Sequence, residues 1–210
     1  MRKNFGAKPY LYPQPVMIIG TYDENGNANA MNAAWGGMAG ANKIIIDLSS
    51  HKTTDNIQLN RVFTVSVGDV KHLTACDYVG MVSAHNAPDK MEKAGFTTTK
   101  SDFVNAPIIN ELPLTLECEL LDVIEGSLYL GEIKNVSMDE SILGEDGELD
   151  LTKFVPITYD PIHQVIQTQK RVSKGECLYE SIAHQRQSAA QRLHLYGPDR
   201  TGKYAGSRGH

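Results

Sequence analysis

The chain has 210 residues, of which 41% are hydrophobic and 21% are charged, and its net charge is −5. This length fits one domain with a hydrophobic core, and the composition excludes intrinsic disorder, collagen and coiled coils. The acidic balance argues against a nucleic-acid partner, because phosphate contacts need clustered Lys and Arg. No apolar run approaches the roughly 20 residues of a membrane-spanning helix, so no membrane partner is expected.

The cysteines and the N-terminus indicate the cellular compartment. Cys76, Cys118 and Cys177 lie far apart and are odd in number, which is typical of a reduced protein and not of a disulfide framework. The first six residues are basic, but the apolar segment of a signal peptide does not follow them. We therefore expect a cytoplasmic protein.

The first half of the chain is predicted to form short strands separated by turns. Apolar runs predict strands over residues 16–22, 28–35, 43–49 and 62–67. Asn25 and Gly26 lie between the first two strands, and an Asn-Gly step is the strongest short hairpin signal. A short helix is predicted over residues 53–60, with Thr53 or Thr54 as its N-cap.

The second half adds two helices and three strands. The helices are predicted over residues 70–81 and 89–94, the second ending at Gly95. Strands are predicted over residues 112–124, 127–136 and 154–159. Because these strands do not alternate regularly with long helices, a doubly wound parallel sheet is not expected. Closure removes exposed strand edges, so the predicted fold is mainly β with short helices, arranged as a closed or split β-barrel.

The end of the chain differs in composition from the rest. From about residue 163 the apolar periodicity is lost and Gln, Arg and Ser become frequent. Such a segment buries little apolar surface to offset its ordering entropy. We predict a domain over residues 1–162 and an atypical polar tail over residues 163–210, helical over 183–195 or partly disordered.

A polar segment links the third predicted strand to the first helix. It offers hydroxyl, amide and ammonium groups where the first N–H groups of a helix are unpaired and the helix dipole favours an anion. The pattern predicts a phosphate site; the alternative is an ordinary N-cap with solvated polar neighbours. The candidate residues are Ser49, Ser50, Lys52, Thr53 and Asn56.

Two other segments are candidates for ligand contact. Residues 32–35 of the second strand, Asn32, Ala33, Ala34 and Trp35, are mostly small, and small side chains let a flat ligand lie against the backbone. Tight packing against another backbone is the alternative. The loop from Ser83 to Lys90 is polar, and taken alone its pattern favours an ordinary surface loop. No catalytic acid, base or nucleophile constellation and no metal-binding set is found.

Taken in order, these segments resemble the flavoredoxin branch of the flavin reductase-like family, whose fold is an FMN-binding split β-barrel. The resemblance extends from about residue 5 to residue 162. Each piece is short, but their order and spacing are specific as a set. The matching pieces are residues 6–8, 12–16, 20–23, 29–37, 53–57, 63–66, 77–80, 89–90, 114–118, 129–133 and 158–161.

The resemblance implies FMN as the cofactor and assigns roles to the candidate residues. Asn32, Ala33, Ala34 and Trp35 are expected to run beside the isoalloxazine ring, and the 49–56 segment to surround the ribityl chain and phosphate. Ser83 and Lys90 are expected in a loop near the flavin. In the family that loop continues with Gly and Arg and ends Asp-Lys-Phe, whereas this chain has Ala84, His85 and Met91.

The implied function is that of a flavoprotein carrying electrons or a hydride through FMN. NAD(P)H or a redox protein is the expected donor, and a homodimer is the expected assembly. Hydride transfer needs no side-chain acid or base, which agrees with the lack of a predicted catalytic residue. Two alternatives stay open. One is a non-enzymatic split-barrel module that binds FMN, haem or another ligand; the other, disfavoured by the motif order, is a pyridoxamine-phosphate-oxidase-like oxidase.

Overall fold

The computed structural model describes residues 1–168 of the chain. The helices are α1 (Lys52–Asn60), α2 (Leu73–Met81) and α3 (Lys90–Ala94), and a 3-10 turn spans Glu140–Ile142. The strands are β1 (Gln14–Pro15), β2 (Met17–Tyr22), β3 (Ala28–Ala33), β4 (Gly36–Met38), β5 (Lys43–Asp47), β6 (Val62–Val67), β7 (Thr98–Lys100), β8 (Pro107–Ile109), β9 (Leu114–Ile124), β10 (Leu128–Met138), β11 (Ile157–Asp160) and β12 (Val165–Thr168).

Seven strands form one antiparallel sheet in the order β3-β2-β6-β9-β10-β5-β4. Its two edge strands, β3 and β4, are separated in the chain by two residues, 34 and 35. A flat sheet would place these edges roughly 29 Å apart, but the chain from residue 33 to residue 36 reaches only about 11 Å. The sheet therefore curls until its edges approach each other. β1-β11-β12 and β7-β8 form two small additional sheets.

The curled sheet has an apolar core on each face, as the alternation along β2 requires. Met17 and Ile19 belong to the concave core, and Ile18 belongs to the core on the opposite face. The concave core also contains Ala33, Ile44, Ile46, Leu48, Ile57, Phe63, Val65, Cys118, Leu120 and Tyr129. The outer core, which includes residues of α2 and β8, contains Val16, Ala30, Cys76, Val79, Phe96, Ile109, Leu112 and Ile157.

Most predicted elements are confirmed, with corrections at their ends. The predicted strand 28–35 ends at Ala33, and the glycine-rich residues after it form β4 on the other edge of the sheet. Helix α1 begins one residue early, and its N-cap is His51 and not Thr53 or Thr54. Gly95 does end α3, in the left-handed conformation with φ 74°. Sequence patterns missed the short strands β1, β4, β7, β8 and β12.

Asp160 connects the N-terminal segment to the β11–β12 hairpin. Its carboxylate accepts hydrogen bonds from the hydroxyl of Tyr12 at 2.6 Å and from the side chain of Gln167 at 3.1 Å, and its Oδ2 lies 2.7 Å from the ring nitrogen Nδ1 of His163. The Tyr12 bond holds the pKa of Asp160 well below its ordinary value and raises the pKa of Tyr12 to about 12. Strand pairing thus continues past the predicted domain boundary at residue 162.

The predicted tail falls mainly outside the described residues. Only its first six residues, 163–168, belong to the described part, where β12 pairs with β11. The predicted helix over 183–195 lies wholly outside it. No helix within residues 1–168 is long and apolar enough to cross a membrane.

Gly131 provides a test of the concave core. A Cβ atom at this position of β10 would lie 2.6 Å from Cζ of Phe63, whose ring is fully buried. Overpacking a filled core costs about 1–3 kcal/mol, so Gly131→Ala is expected to lower the free energy of unfolding by that amount in urea titration. Gly37→Ala, where the added atom meets nothing within 4 Å, is the control. Equal stability of the two variants would contradict this packing.

Candidate functional site

A cavity of about 180 Å³ lies along β3, between the N-terminus of α1 and the end of α2. β3 is an edge strand that pairs only with β2 among the described strands, so backbone N–H and C=O groups along its outer side are available to a ligand. The cavity is lined by Asn29, Met31, Asn32, His51, Lys52, Thr53, Val79, Gly80, Met81, Val82, Ser83, Ala84 and Lys90.

The N-terminus of α1 is arranged around His51. The backbone N–H of His51 donates to Oγ1 of Thr54 at 2.8 Å, and the Thr54 hydroxyl donates to the carbonyl of His51 at 2.7 Å. The ring of His51 also contacts the Ser49 hydroxyl at 2.9 Å. These contacts fix the first turn of the helix beside the cavity, where the helix dipole favours an anion.

Thr53 and Asn29 form a buried pair on the cavity wall. The Asn29 amide donates to Oγ1 of Thr53 at 2.8 Å. Thr53 therefore accepts a hydrogen bond, and its own hydroxyl proton has no acceptor among the described residues. Asn29 is only 5% exposed, and its Oδ1 has no hydrogen-bond partner within residues 1–168. Since buried polar atoms are normally paired, the wall presents one donor and one acceptor to a polar ligand.

Lys52 supplies the positive charge of this end of the cavity. Its Nζ lies 2.7 Å from Oε2 of Glu24, at the tip of the β2–β3 hairpin. The hydrogen bond to Glu24 raises the pKa of Lys52 and lowers the pKa of Glu24. The ammonium group is thus charged and partly neutralised by its own carboxylate partner.

Helix α2 approaches β3 closely at Gly80. A Cβ atom on Gly80 would lie 3.0 Å from both Cβ and Cγ of Asn32. The Asn32 amide in turn donates to the carbonyl of Cys76, one turn earlier in α2, at 3.2 Å. The lack of a side chain at Gly80 lets the helix form the second wall of the cavity.

Lys90 holds the loop that follows α2. The side chain is 3% exposed, and its ammonium donates to the carbonyls of Val79 at 3.1 Å and Val82 at 2.7 Å. Burial lowers the pKa of Lys90 to about 8. These bonds tie the first residue of α3 to the C-terminal end of α2. Lys90 therefore fixes the position of the loop that lines the cavity.

Five of the eleven predicted site residues line the cavity: Asn32, Lys52, Thr53, Ser83 and Lys90. The other six do not. Ala33 and Ala34 are buried, whereas Trp35, Ser49 and Ser50 are exposed. The Asn56 side chain is buried against β2 and donates to Oγ1 of Thr21 at 3.0 Å.

Sequence patterns missed Asn29, His51 and the residues of α2. Strand alternation places Asn29 and Met31 on one face of β3 and Asn32 on the other, and the cavity takes residues from both faces because β3 is an edge. The sequence does not show that β3 is an edge strand, so it could not predict that residues from both of its faces line the cavity. Within residues 1–168, no three His, Cys, Asp or Glu side chains are grouped to hold a metal ion.

Comparison with known proteins places this fold in a family. The model of the flavin reductase like domain matches residues 10–163. The chain belongs to the flavin reductase-like family. Its curled antiparallel sheet is the split barrel of that family, and the fold predicted from sequence is confirmed.

Individual proteins are similar over most of the chain. The flavoredoxin of Desulfovibrio vulgaris (Miyazaki F) is 32% identical, with a TM-score of 0.76 over 84% of this chain and 100% of that one. The FMN-binding domain of a flavin reductase-like enzyme from Shewanella baltica OS155 shares the fold, with a TM-score of 0.67 at 17% identity over 78% and 90% of the two chains. An uncharacterised protein of Aeropyrum pernix is 27% identical over 179 residues, or 79% of this chain and 67% of the relative.

The buried amine of Lys90 predicts a pH dependence of stability. Its pKa in the folded protein is about 8, against an ordinary 10.5. Between these values the unfolded chain keeps a proton that the folded chain has released, so the contribution of Lys90 to the free energy of unfolding rises with pH. Burial raises the pKa of Cys76 and of Cys118 to about 12, which acts in the opposite direction above pH 9. In urea titrations from pH 8 to 10.5, the free energy of unfolding of the unaltered protein is therefore expected to rise relative to that of Lys90→Met.

The lysine one turn later in the same helix is the matched control. Lys93 is exposed and ion-paired with Asp89 at 3.0 Å, and Lys93→Met is expected to retain the rise. A Lys90→Met variant that is less stable by a constant amount at every pH would show that Lys90 stays protonated in the folded protein.

Proposed function

We propose that the cavity binds FMN and that the chain is a flavoprotein of the flavoredoxin type, carrying electrons or a hydride through that cofactor. The observation that carries the proposal is the meeting of three features in one cavity: the first turn of α1, the cation Lys52 and the free edge of β3. The family membership and the similarity to a flavoredoxin support it.

The α1 end of the cavity suits the phosphate. Lys52 contributes a positive charge, and the hydroxyl of Thr53 contributes a donor whose oxygen is already oriented by Asn29. A phosphate is acceptor-rich, so these donors and the helix dipole are complementary to it. The unpaired Oδ1 of Asn29 needs a donor instead, and a hydroxyl of the ribityl chain next to the phosphate is of that kind.

The remainder of the cavity suits a flat ring with one polar edge. Met31, Val79, Met81 and Val82 provide apolar surface, and the unpaired backbone groups of β3 provide donors and acceptors. The amide of Asn32 is occupied by the carbonyl of Cys76, so Asn32 positions the strand. Lys90, by holding the carbonyls of Val79 and Val82, positions the opposite wall.

Bound FMN would supply the redox chemistry, since its ring accepts and releases electrons as a hydride or singly. The residues of this chain would bind the phosphate, orient the ring and exclude water from one side of it. NAD(P)H or a redox protein would be the electron donor. None of these roles requires a catalytic side chain.

The test is spectroscopic. Purified protein, or apoprotein titrated with FMN, is expected to show the absorption of bound oxidised flavin, and the flavin is expected to be reduced by NAD(P)H or by a reduced redox protein. Flavin that binds but accepts electrons from neither class of donor would favour the non-enzymatic module. Protein that takes up haem and not FMN would contradict the proposal.

Thr53 allows the phosphate assignment to be tested separately. Removing its hydroxyl in Thr53→Ala is expected to weaken FMN binding by about 1–3 kcal/mol, as for a hydrogen bond to a charged group. Riboflavin, which lacks the phosphate, is expected to bind almost as before. Thr53→Ser should restore FMN affinity. Equal losses for FMN and riboflavin in a fluorescence titration would place the phosphate elsewhere.

We also propose that the protein is a homodimer. Leu114 and Met138, and Leu116 and Val136, are directly opposed pairs on β9 and β10, and Val136 and Met138 are exposed. A row of apolar side chains on a sheet face is suited to a self-complementary contact.

Sedimentation measures this directly. The unaltered protein is expected to sediment as a dimer at micromolar concentration, and Val136→Lys is expected to shift it toward monomer because a charge would be buried in the contact. Thr99→Lys, on the exposed strand β7, is the control. A monomer mass for the unaltered protein would contradict the proposal.

A further inference from the structure

The hairpin between β2 and β3 carries an acidic residue to the phosphate end of the cavity. Oε2 of Glu24 lies 2.7 Å from Nζ of Lys52, and the two side chains are 56% and 23% exposed. Lys52 lines the cavity, whereas Glu24 does not. Within residues 1–168, Lys52 has the one ammonium group at this end of the cavity. Glu24 therefore accepts one of the hydrogen bonds that this ammonium group can donate.

The position of Glu24 is fixed by its own turn. The carboxylate of Asp23 accepts from the backbone N–H groups of Asn25 at 2.9 Å and Asn27 at 2.8 Å, and from the Asn27 amide at 3.1 Å. Gly26 completes the turn in the left-handed conformation, φ 80°, and its N–H donates to the carbonyl of Asp23 at 3.0 Å. The carboxylate is thus presented by a closed hairpin tip and not by a loose loop.

We propose that Glu24 is an internal counter-ion that Lys52 exchanges for the phosphate of the ligand, and that this exchange lowers the affinity of the site for phosphate-bearing ligands. The inference rests on the proposed function, since it concerns the same anion subsite. Lys52 gives up its contact with Glu24 when a phosphate arrives, and regains it when the phosphate leaves.

The exchange lowers the affinity of a phosphate for the site at Lys52. A phosphate at Lys52 must replace one charge-assisted hydrogen bond and also tolerate a carboxylate close to its own negative charge. Inorganic phosphate has only the α1 end of the cavity to offset this cost. A flavin mononucleotide adds the contacts of its ring and ribityl chain along β3, so it is retained despite this cost, whereas free phosphate is held weakly.

The experiment compares Glu24→Gln with the unaltered protein for three ligands: FMN, riboflavin and inorganic phosphate. At low ionic strength, Glu24→Gln is expected to tighten FMN and phosphate binding by about two- to fivefold, the size expected for an exposed ion pair. Riboflavin affinity is expected to stay the same. The gain should shrink in high salt, which screens exposed charges.

Two further variants separate this role from simpler ones. Glu145→Gln, in an exposed turn that contributes nothing to the cavity, controls for the change in net charge and is expected to leave all three affinities unchanged. In a Lys52→Met background, the gain from Glu24→Gln is expected to be smaller, because no ion pair remains to be broken. An equal gain in both backgrounds would mean that Glu24 repels the phosphate without acting through Lys52, and would overturn the exchange.

The other outcomes are equally decisive. Weaker FMN binding by Glu24→Gln would mean that Glu24 orients Lys52 for the phosphate instead of competing with it. Unchanged affinities would show that the ion pair has no part in binding. If the unaltered protein binds neither FMN nor riboflavin, the proposed function fails and the exchange fails with it, which is a different result from normal FMN binding that is insensitive to Glu24.

Discussion

The two-residue connection between β3 and β4 is the constraint on which the rest of the structure depends. It brings together the two edges of a seven-stranded sheet, and a sheet can meet this condition only by curling. Curling creates the concave core around Phe63 and leaves the outer side of β3 without a strand partner. The cavity lies along that side, so the feature that shapes the barrel also exposes the backbone groups available to a ligand.

Sequence patterns predicted the strands that bury apolar side chains and missed those that do not. β2 begins with a continuous apolar run that is buried on both faces, and β6 alternates apolar and polar residues; the two strands pair with each other in the sheet. β4 contains two glycines and one exposed methionine, Met38, so it has no apolar period to detect. It is held as a strand by its backbone bonds to β5, which depend on where the curled sheet places the two segments.

The sequence predicted those parts of the candidate site whose residues lie together in one short segment. Lys52 and Thr53 stand at a recognisable helix start, and the structure does place them on the cavity wall. The roles of Asn29 and Gly80 depend on tertiary contacts. Asn29 bonds to Thr53, 24 residues later in the chain, and Gly80 of α2 lies against Asn32 of β3. A single Asn in a strand and a single Gly in a helix look ordinary in the sequence. Tertiary packing shows that the Asn has an unpaired oxygen and that a Cβ atom on the Gly would be crowded by its neighbour.

The polar groups around the cavity are almost all committed to the protein itself. Lys52 is paired with Glu24, the amine of Lys90 with two carbonyls, and the backbone of His51 with Thr54. Among the described residues, the lining groups without a hydrogen-bond partner include the hydroxyl proton of Thr53, the Oδ1 of Asn29 and the backbone edge of β3. Such a set can orient a polar ligand but offers little acid or base chemistry of its own. In the proposed function these groups bind and orient the cofactor, and Glu24 competes with its phosphate for Lys52.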